Sequence, residues 1–203
     1  ASSTLPVSSS WWATSKILGS SRPSFTGDLG INADTIAHVG DLSKAIATND
    51  IDAKGMALAP GFIDTHSHHD WGMFDIRDMP SCVSQGITTI VVGQDGGSNF
   101  PLSDFYKKVE KATVAVNVAS YTGHNTLRDS VIVGDYKRFC TPEEIEKMKS
   151  MLKQDMEAGS LGLSTGLEYD PGIFSHPDEV IDLAKVAATS NGRYISHIRS
   201  EDR

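Results

Sequence analysis

The sequence is poor in cysteine and in basic residues, and it has no long apolar run. Two cysteines in 203 residues, Cys82 and Cys140, exclude a disulfide framework. No apolar stretch approaches the ~20 residues that a membrane-spanning helix needs. Lys and Arg number 18 against 26 Asp and Glu, a formal net charge of −8, which argues against the phosphate backbone of a nucleic acid as a partner. We therefore expect a mildly acidic globular chain with no nucleic-acid and no membrane partner.

The N-terminal residues 1–10 include five serines and predict a mobile tail. The chain starts at Ala1 and shows neither a basic segment nor an apolar core of a signal peptide. This leaves the compartment open. Reduced cysteines would fit the cytosol, whereas removal of a signal peptide before Ala1 would fit secretion or a periplasmic location.

The pattern of the chain changes near residue 58. Residues 11–57 contain short apolar runs separated by glycine and Asn-Asp turns, which predicts part of a small β domain. Residues 58–203 alternate apolar runs with helical segments, and repeated β–α units indicate a parallel sheet with right-handed crossovers. The predicted strands of this second region are residues 59–66, 87–93, 113–119, 161–167 and 193–198. Five strands fit either an open sheet or part of a closed barrel of eight, and the pattern alone does not choose.

Two helices in this region are predicted from their first residues. Thr141 is a good N-cap, because Pro142 and two glutamates follow it. A second helix is expected to begin near His176-Pro177, which acidic residues also follow. In the first of these helices the apolar residues recur at helical spacing: Ile145, Met148, Met151, Leu152 and Met156.

Several potential metal ligands stand at the ends of the predicted strands. His66 and His68 are two residues apart at the end of the first strand, so an extended chain would point both imidazoles to the same side, as a metal ion requires. Asp95 follows the second strand, and His197 ends the fifth. The plainer alternatives are solvated histidines at a polar strand end, an Asp-Gly turn and a structural histidine. His124 ends the third strand and could orient a ligand or line a pocket.

Five collinear segments resemble the amidohydrolase superfamily, and within it the N-acyl-D-amino-acid deacylase (D-aminoacylase) branch. The resemblance extends from about residue 25 to the end of the chain. The matching segments are residues 59–68 (APGFIDTHSH), 83–93 (VSQGITTIVVG), 123–128 (GHNTLR), 162–169 (GLSTGLEY) and 196–201 (SHIRSE).

The resemblance implies an α/β fold, a (β/α)8 barrel of which this chain holds the first five strands, beside a small β-sandwich. It implies one or two zinc ions, or another divalent metal, bound by four residues: His66, His68, Asp95 and His197. Asp95 departs from that branch, which typically has cysteine at this position, and a carboxylate is a harder ligand than a thiolate. The catalytic aspartate expected at the eighth strand falls outside this chain.

The same resemblance implies hydrolysis of a linear amide bond in an N-acyl-D-amino acid or a D-configured peptide by metal-activated water. Tyr169 and Arg199 are expected to contact the substrate together with His124, and Glu168 is expected behind or at the rim of the site. Arg199 could instead form a salt bridge with Glu201 or Asp202.

Two other functions stay open at this point. A cyclic-amide hydrolase of the dihydroorotase or hydantoinase kind is disfavoured, because such enzymes often use a carboxylated lysine on the fourth strand and no lysine occurs in residues 161–176. An inactive fragment or subunit is the other alternative, because five strands cannot close a barrel. We therefore expect the missing C-terminal half as a continuation of the polypeptide or as a separate chain.

Overall fold

The computed structural model describes residues 9–19 and 23–200, which belong to two compact units, Ala1–Pro60 and Gly61–Arg203. Most of the predicted tail, residues 1–8, lies outside the described residues. Ser9 and Ser10 already belong to the first strand, so regular structure begins before residue 11, where we expected it.

The first unit contains a mixed sheet of five strands. They are β1 (Ser9–Ile17), β2 (Phe25–Asn32), β3 (Thr35–Gly40), β4 (Asn49–Asp52) and β5 (Ala57–Leu58). Strand β1 pairs antiparallel with β2 and parallel with β4 and β5, and β2 pairs antiparallel with β3. These strands give the β character expected for this region, while the small β-sandwich stays a prediction.

The second unit alternates strands and helices. Its strands are β6 (Phe62–Asp64), β7 (Ile87–Val92), β8 (Asn117–Ser120), β9 (Thr122–Gly123), β10 (Gly162–Gly166) and β11 (Arg193–His197). Its helices are α1 (Pro80–Val83), α2 (Leu102–Ala112), α3 (His124–Val131), α4 (Pro142–Glu157) and α5 (Pro177–Thr189). All strand pairs in this unit are parallel, so the expected α/β class is confirmed.

The parallel strands form two three-stranded sheets, β6-β7-β8 and β9-β10-β11. Strand β9, which follows Tyr121, was not predicted. The third predicted strand, residues 113–119, corresponds to β8. This strand begins at Asn117 instead of residue 113, because Thr113 is the left-handed C-cap of α2 with φ 54°. The eight-stranded barrel stays a prediction.

Both helices predicted from their first residues are confirmed. Thr141 caps α4 in a capping box, in which its hydroxyl accepts from the Glu144 N–H and the Glu144 carboxylate accepts from the Thr141 N–H. Helix α5 begins at Pro177 and is capped by His176. The apolar face of α4 packs into a core formed with α3, α5 and β10, whose buried members are Leu127, Met148, Leu152, Leu163, Leu183 and Ala187.

A second core lies around strand β7 and helix α2. Its buried members are Met73, Met79, Cys82, Ile90, Val92, Leu102, Phe105 and Val116. Ile90 and Val92 are fully buried, as expected for a central strand of a parallel sheet. The two cores thus contain β7 and the first half of β10. Within the described part of the chain, no helix is both long and apolar enough to cross a lipid bilayer.

Candidate metal centre

Two histidines and an aspartate converge where strands β6 and β7 end. Strand β6 pairs parallel with β7, so both carboxyl ends lie at the same edge of the sheet. His66 and His68 follow β6, and Asp95 follows β7. The Asp95 Oδ2 atom lies 3.2 Å from Nε2 of His66 and 3.1 Å from Nε2 of His68. The two imidazoles therefore lie on one side, as expected, although the strand predicted for residues 59–66 is shorter, β6 at Phe62–Asp64, and both histidines follow it.

The backbone around Asp95 is held in position by neighbouring strands. Asp95 has a left-handed φ of 53°, a conformation that non-glycine residues adopt at a cost. The Ser164 hydroxyl on β10 donates to the Gly93 carbonyl, at 2.6 Å, and accepts from the Gly96 N–H, at 3.3 Å. A Cβ atom at Gly166 would clash with the Asp95 carbonyl oxygen, so glycine allows this close approach. Strand β10 thus fixes the loop that presents the carboxylate.

His197, the fourth predicted ligand, lies beside this cluster. It ends β11, and its Nδ1 atom is 3.8 Å from Asp95 Oδ1. The ligand atoms of the other three residues all lie within 4.8 Å of one another, and His197 is not part of that group. His197 Nε2 points instead to the Glu168 carboxylate, at 3.0 Å. The structure therefore brings three of the four predicted ligands together and places the fourth at hydrogen-bonding range of a second carboxylate.

The three-residue cluster fits a zinc ion in both donor type and spacing. Imidazole nitrogen and carboxylate oxygen are common zinc ligands, at about 2.0–2.1 Å from the metal, so two such atoms on one tetrahedral ion stand about 3.3 Å apart. The two distances from Asp95 Oδ2 are close to this value, and they are also those of hydrogen bonds. The side chains of His66 and His68 are about half exposed, at 51% and 45%, so the cluster is accessible from outside.

Neither cysteine belongs to the cluster. Cys82 is buried in α1 and contributes to the core around β7. Burial and the nearby Glu179 carboxylate raise the pKa of the Cys140 thiol to about 12. A thiol that stays protonated at neutral pH is a poor metal ligand. Asp95 is therefore the anionic group of this site.

The predicted substrate-contacting residues have different surroundings. The Tyr169 hydroxyl is 3.4 Å from His197 Nδ1, and its ring lies 4.6 Å from the imidazole, so Tyr169 borders the site. The Arg199 guanidinium donates to the carbonyl oxygens of Ile173, at 2.6 Å, and Ser175, at 3.3 Å. Glu201 and Asp202, the alternative partners of Arg199, lie outside the described residues. A role of Tyr169 and Arg199 in substrate binding stays a prediction.

His124 does not join the cluster but lies in a buried charged network. It is fully buried, and its Nε2 atom is 2.7 Å from the Glu179 carboxylate. The Arg128 guanidinium, also fully buried, donates to both Glu179 oxygens at 2.7 Å. Burial alone would raise the pKa of Glu179, but the hydrogen bonds from His124 and Arg128 lower it below its usual range. These contacts give His124 a place in the interior between α3 and α5.

Sequence reasoning missed the residues that hold the Asp95 loop. Ser164 contacts this loop directly, and Asn125 donates to the Gly166 carbonyl at 3.1 Å. Ser164 and Gly166 alternate along a fully buried strand, and a buried serine on such a strand needs a hydrogen-bond partner. The buried serine in the strand pattern was the sequence feature that could have pointed to Ser164. It does not reveal which loop accepts or donates its hydrogen bonds.

The profile of the amidohydrolase family matches residues 50–190, more than half of the chain. This chain belongs to the amidohydrolase family. It is 35% identical over 206 residues to D-aminoacylase of Alcaligenes xylosoxydans xylosoxydans, a match that covers 90% of this chain and 42% of that protein. The resemblance drawn from the five sequence segments is thereby confirmed.

Solved structures give the same result for this amidohydrolase chain. A crystal structure of D-aminoacylase superposes with a TM-score of 0.87 at 33% identity and covers 95% of this chain and 45% of that one. N-acyl-D-glutamate deacylase from Bordetella bronchiseptica, in a complex with zinc and a phosphonate inhibitor, superposes with a TM-score of 0.92 at 32% identity, covering 97% and 46%. The chain thus spans less than half the length of these relatives.

Proposed function

We propose that the protein containing this chain is a metal-dependent amidohydrolase that removes the acyl group from N-acyl-D-amino acids. The observation that carries the proposal is the convergence of His66, His68 and Asp95 at the carboxyl ends of parallel strands. This is where α/β enzymes place their sites. Support comes from the similarity to D-aminoacylase, a relative with 35% identity.

The proposed architecture is a (β/α)8 barrel joined to a small β-sandwich. In this proposal residues 58–203 supply the first five β/α units and residues 11–57 supply part of the sandwich. Further strands come from a segment outside this chain, as a continuation or as a separate polypeptide. The proposed further segment is supported by the length of the relative D-aminoacylase, of which this chain covers 42%.

In the proposed site, His66, His68 and Asp95 hold a zinc ion, or another divalent metal, and His197 completes the ligand set. A bound zinc ion lowers the pKa of a coordinated water to about 7 and polarises a carbonyl oxygen. The roles of this chain are to hold the ligand atoms in place and to orient the substrate. Tyr169 borders the site and can contact the acyl group. Arg199 has five N–H donors, and those not engaged by Ile173 and Ser175 can bind a substrate carboxylate.

A general base is also required, because the water must lose a proton and the leaving amine must gain one. We assign this role to an aspartate on the proposed eighth strand, outside the chain. The complete protein is therefore the species to be tested for activity. The proposed products are a carboxylate and a free D-amino acid, and the partner is a small-molecule substrate.

The test is metal analysis of the purified complete protein together with a substrate panel. We expect zinc or another divalent transition metal to copurify, and N-acetyl-D-methionine to be hydrolysed in preference to N-acetyl-L-methionine and to hydantoins. Chelation is expected to abolish the hydrolysis, and added zinc to restore it. Hydrolysis of hydantoins alone would assign the protein to the cyclic-amide hydrolases. A preparation with no transition metal and no hydrolysis of any acyl-amino acid would reject the proposal.

A further inference from the structure

Glu168 makes a contact with the predicted fourth ligand that the metal site itself does not explain. Its Oε2 atom is 3.0 Å from Nε2 of His197, on the side of the ring away from Asp95. The opposite ring atom, Nδ1, is the one that faces Asp95 Oδ1. Of the three imidazoles around Asp95, His66 and His68 therefore present Nε2 and His197 presents Nδ1.

This contact decides which nitrogen of His197 carries the proton of the neutral ring. A carboxylate only accepts hydrogen bonds, so the proton of the neutral imidazole lies on Nε2 when it bonds to Glu168. Nδ1 then keeps its lone pair, and it points toward Asp95. The Tyr169 hydroxyl, 3.4 Å from Nδ1, can donate to that same lone pair, which agrees with the same tautomer. The hydrogen bond to Glu168 thus sets the ring orientation and the tautomer together.

The backbone holds Glu168 at this place independently of its side chain. The Leu167 N–H donates to the His197 carbonyl oxygen at 3.0 Å, which joins the loop after β10 to the end of β11. The Tyr169 N–H donates to the Gly166 carbonyl at 3.2 Å and closes a tight turn around Glu168. The carboxylate is therefore carried by a loop whose backbone is held next to His197.

We propose that Glu168 is a positioning residue that holds the His197 ring with Nδ1 directed toward Asp95 and so makes His197 the fourth ligand. This inference rests on the metal site of the proposed function. It does not depend on the substrate of that function. Because the Glu168 side chain is 39% exposed and the contact is a single hydrogen bond, we expect it to contribute little to folding stability. Its effect is expected in metal affinity.

The test compares two substitutions of Glu168 in the complete protein, with Co2+ as a spectroscopic probe and Zn2+ affinity measured by chelator competition. Glu168→Ala removes the acceptor, and we expect affinity to fall about 10- to 100-fold and the visible Co2+ spectrum to change. Glu168→Gln keeps a carbonyl oxygen that can accept from Nε2, so we expect it to retain most of the affinity. Glu146→Ala, on the exposed face of α4, is the matched control and should leave both readouts unchanged.

Three results would overturn the proposal. Unchanged affinity and an unchanged Co2+ spectrum in Glu168→Ala would show that Glu168 has no influence on the metal. Equal losses in Glu168→Gln and Glu168→Ala would show that the charge itself is needed, as for a direct ligand. A lower melting temperature of both variants in their metal-free form would show a merely structural role. Since turnover is not measured, a protein that binds metal but hydrolyses no N-acyl-D-amino acid would refute the proposed function and leave this inference standing.

Discussion

Exchange of Asp95 for asparagine is expected to lower the zinc affinity of the complete protein by at least about 100-fold. Removal of a residue that only hydrogen-bonds to a metal ligand already lowers metal affinity about 10- to 100-fold, and Asp95 is proposed as a ligand itself. Asp95 Oδ2 lies between the Nε2 atoms of His66 and His68, and no other described residue joins these three in the cluster. Asparagine preserves the size of the side chain but replaces the anion with a weak amide ligand. The measurement is chelator competition, combined with metal content after dialysis.

The control for this experiment is Asp104→Asn. Asp104 is exposed in the first turn of α2, where it pairs with Lys107, so its loss should leave metal content unchanged. A circular-dichroism melting curve of each variant separates loss of metal from loss of fold. If Asp95→Asn bound zinc as tightly as the unchanged protein, Asp95 would not be a ligand.

A second large effect is expected on stability when Glu179 is replaced by glutamine. Glu179 accepts from Arg128 and His124 in a site where all three side chains are buried. Loss of the carboxylate charge leaves the Arg128 guanidinium uncompensated in the interior, which typically costs about 3–5 kcal/mol. Urea unfolding of the complete protein measures this change. Glu146→Gln, which breaks an exposed pair with Lys149, should have no measurable effect.

The same network predicts how stability depends on pH. The pKa of Glu179 is lower in the folded chain than its ordinary value of 4.5, so folding favours the ionised form. Its contribution is therefore complete above about pH 4.5 and is lost as the pH falls through the folded-state pKa. In Glu179→Gln this part of the acid dependence should be missing. If the unfolding free energies of both proteins fell in parallel below pH 4.5, the ionised Glu179 would not be stabilising the fold.

Local patterns in the sequence were sufficient to predict the two histidines of the cluster. The prediction took His66 and His68 as alternating residues of an extended strand. The structure ends β6 at Asp64, and the two imidazoles converge from the segment that follows it. Thr141 and His176 likewise marked the starts of α4 and α5, because capping is determined by a few adjacent residues. These are short-range effects. They can be inferred without knowing which strands are neighbours.

The features that were missed depend on contacts between distant segments. His124 directly follows strand β9, and His197 is the last residue of β11. The two differ because His124 is buried in contact with Glu179 on α5, which also binds Arg128 on α3. Ser164 supports the Asp95 loop across 68 residues of sequence, from a strand whose pattern shows only that it is buried. Strand β9 was not predicted, because its two residues are recognised as a strand only by their pairing with β10.

The most direct test of the account is an anomalous difference map of the zinc-loaded complete protein, measured on both sides of the zinc absorption edge. The account predicts a zinc peak about 2.0–2.2 Å from Nε2 of His66, Nε2 of His68 and a carboxylate oxygen of Asp95. A zinc peak bound by other residues, or these three side chains left without metal in crystals that contain zinc elsewhere, would contradict it.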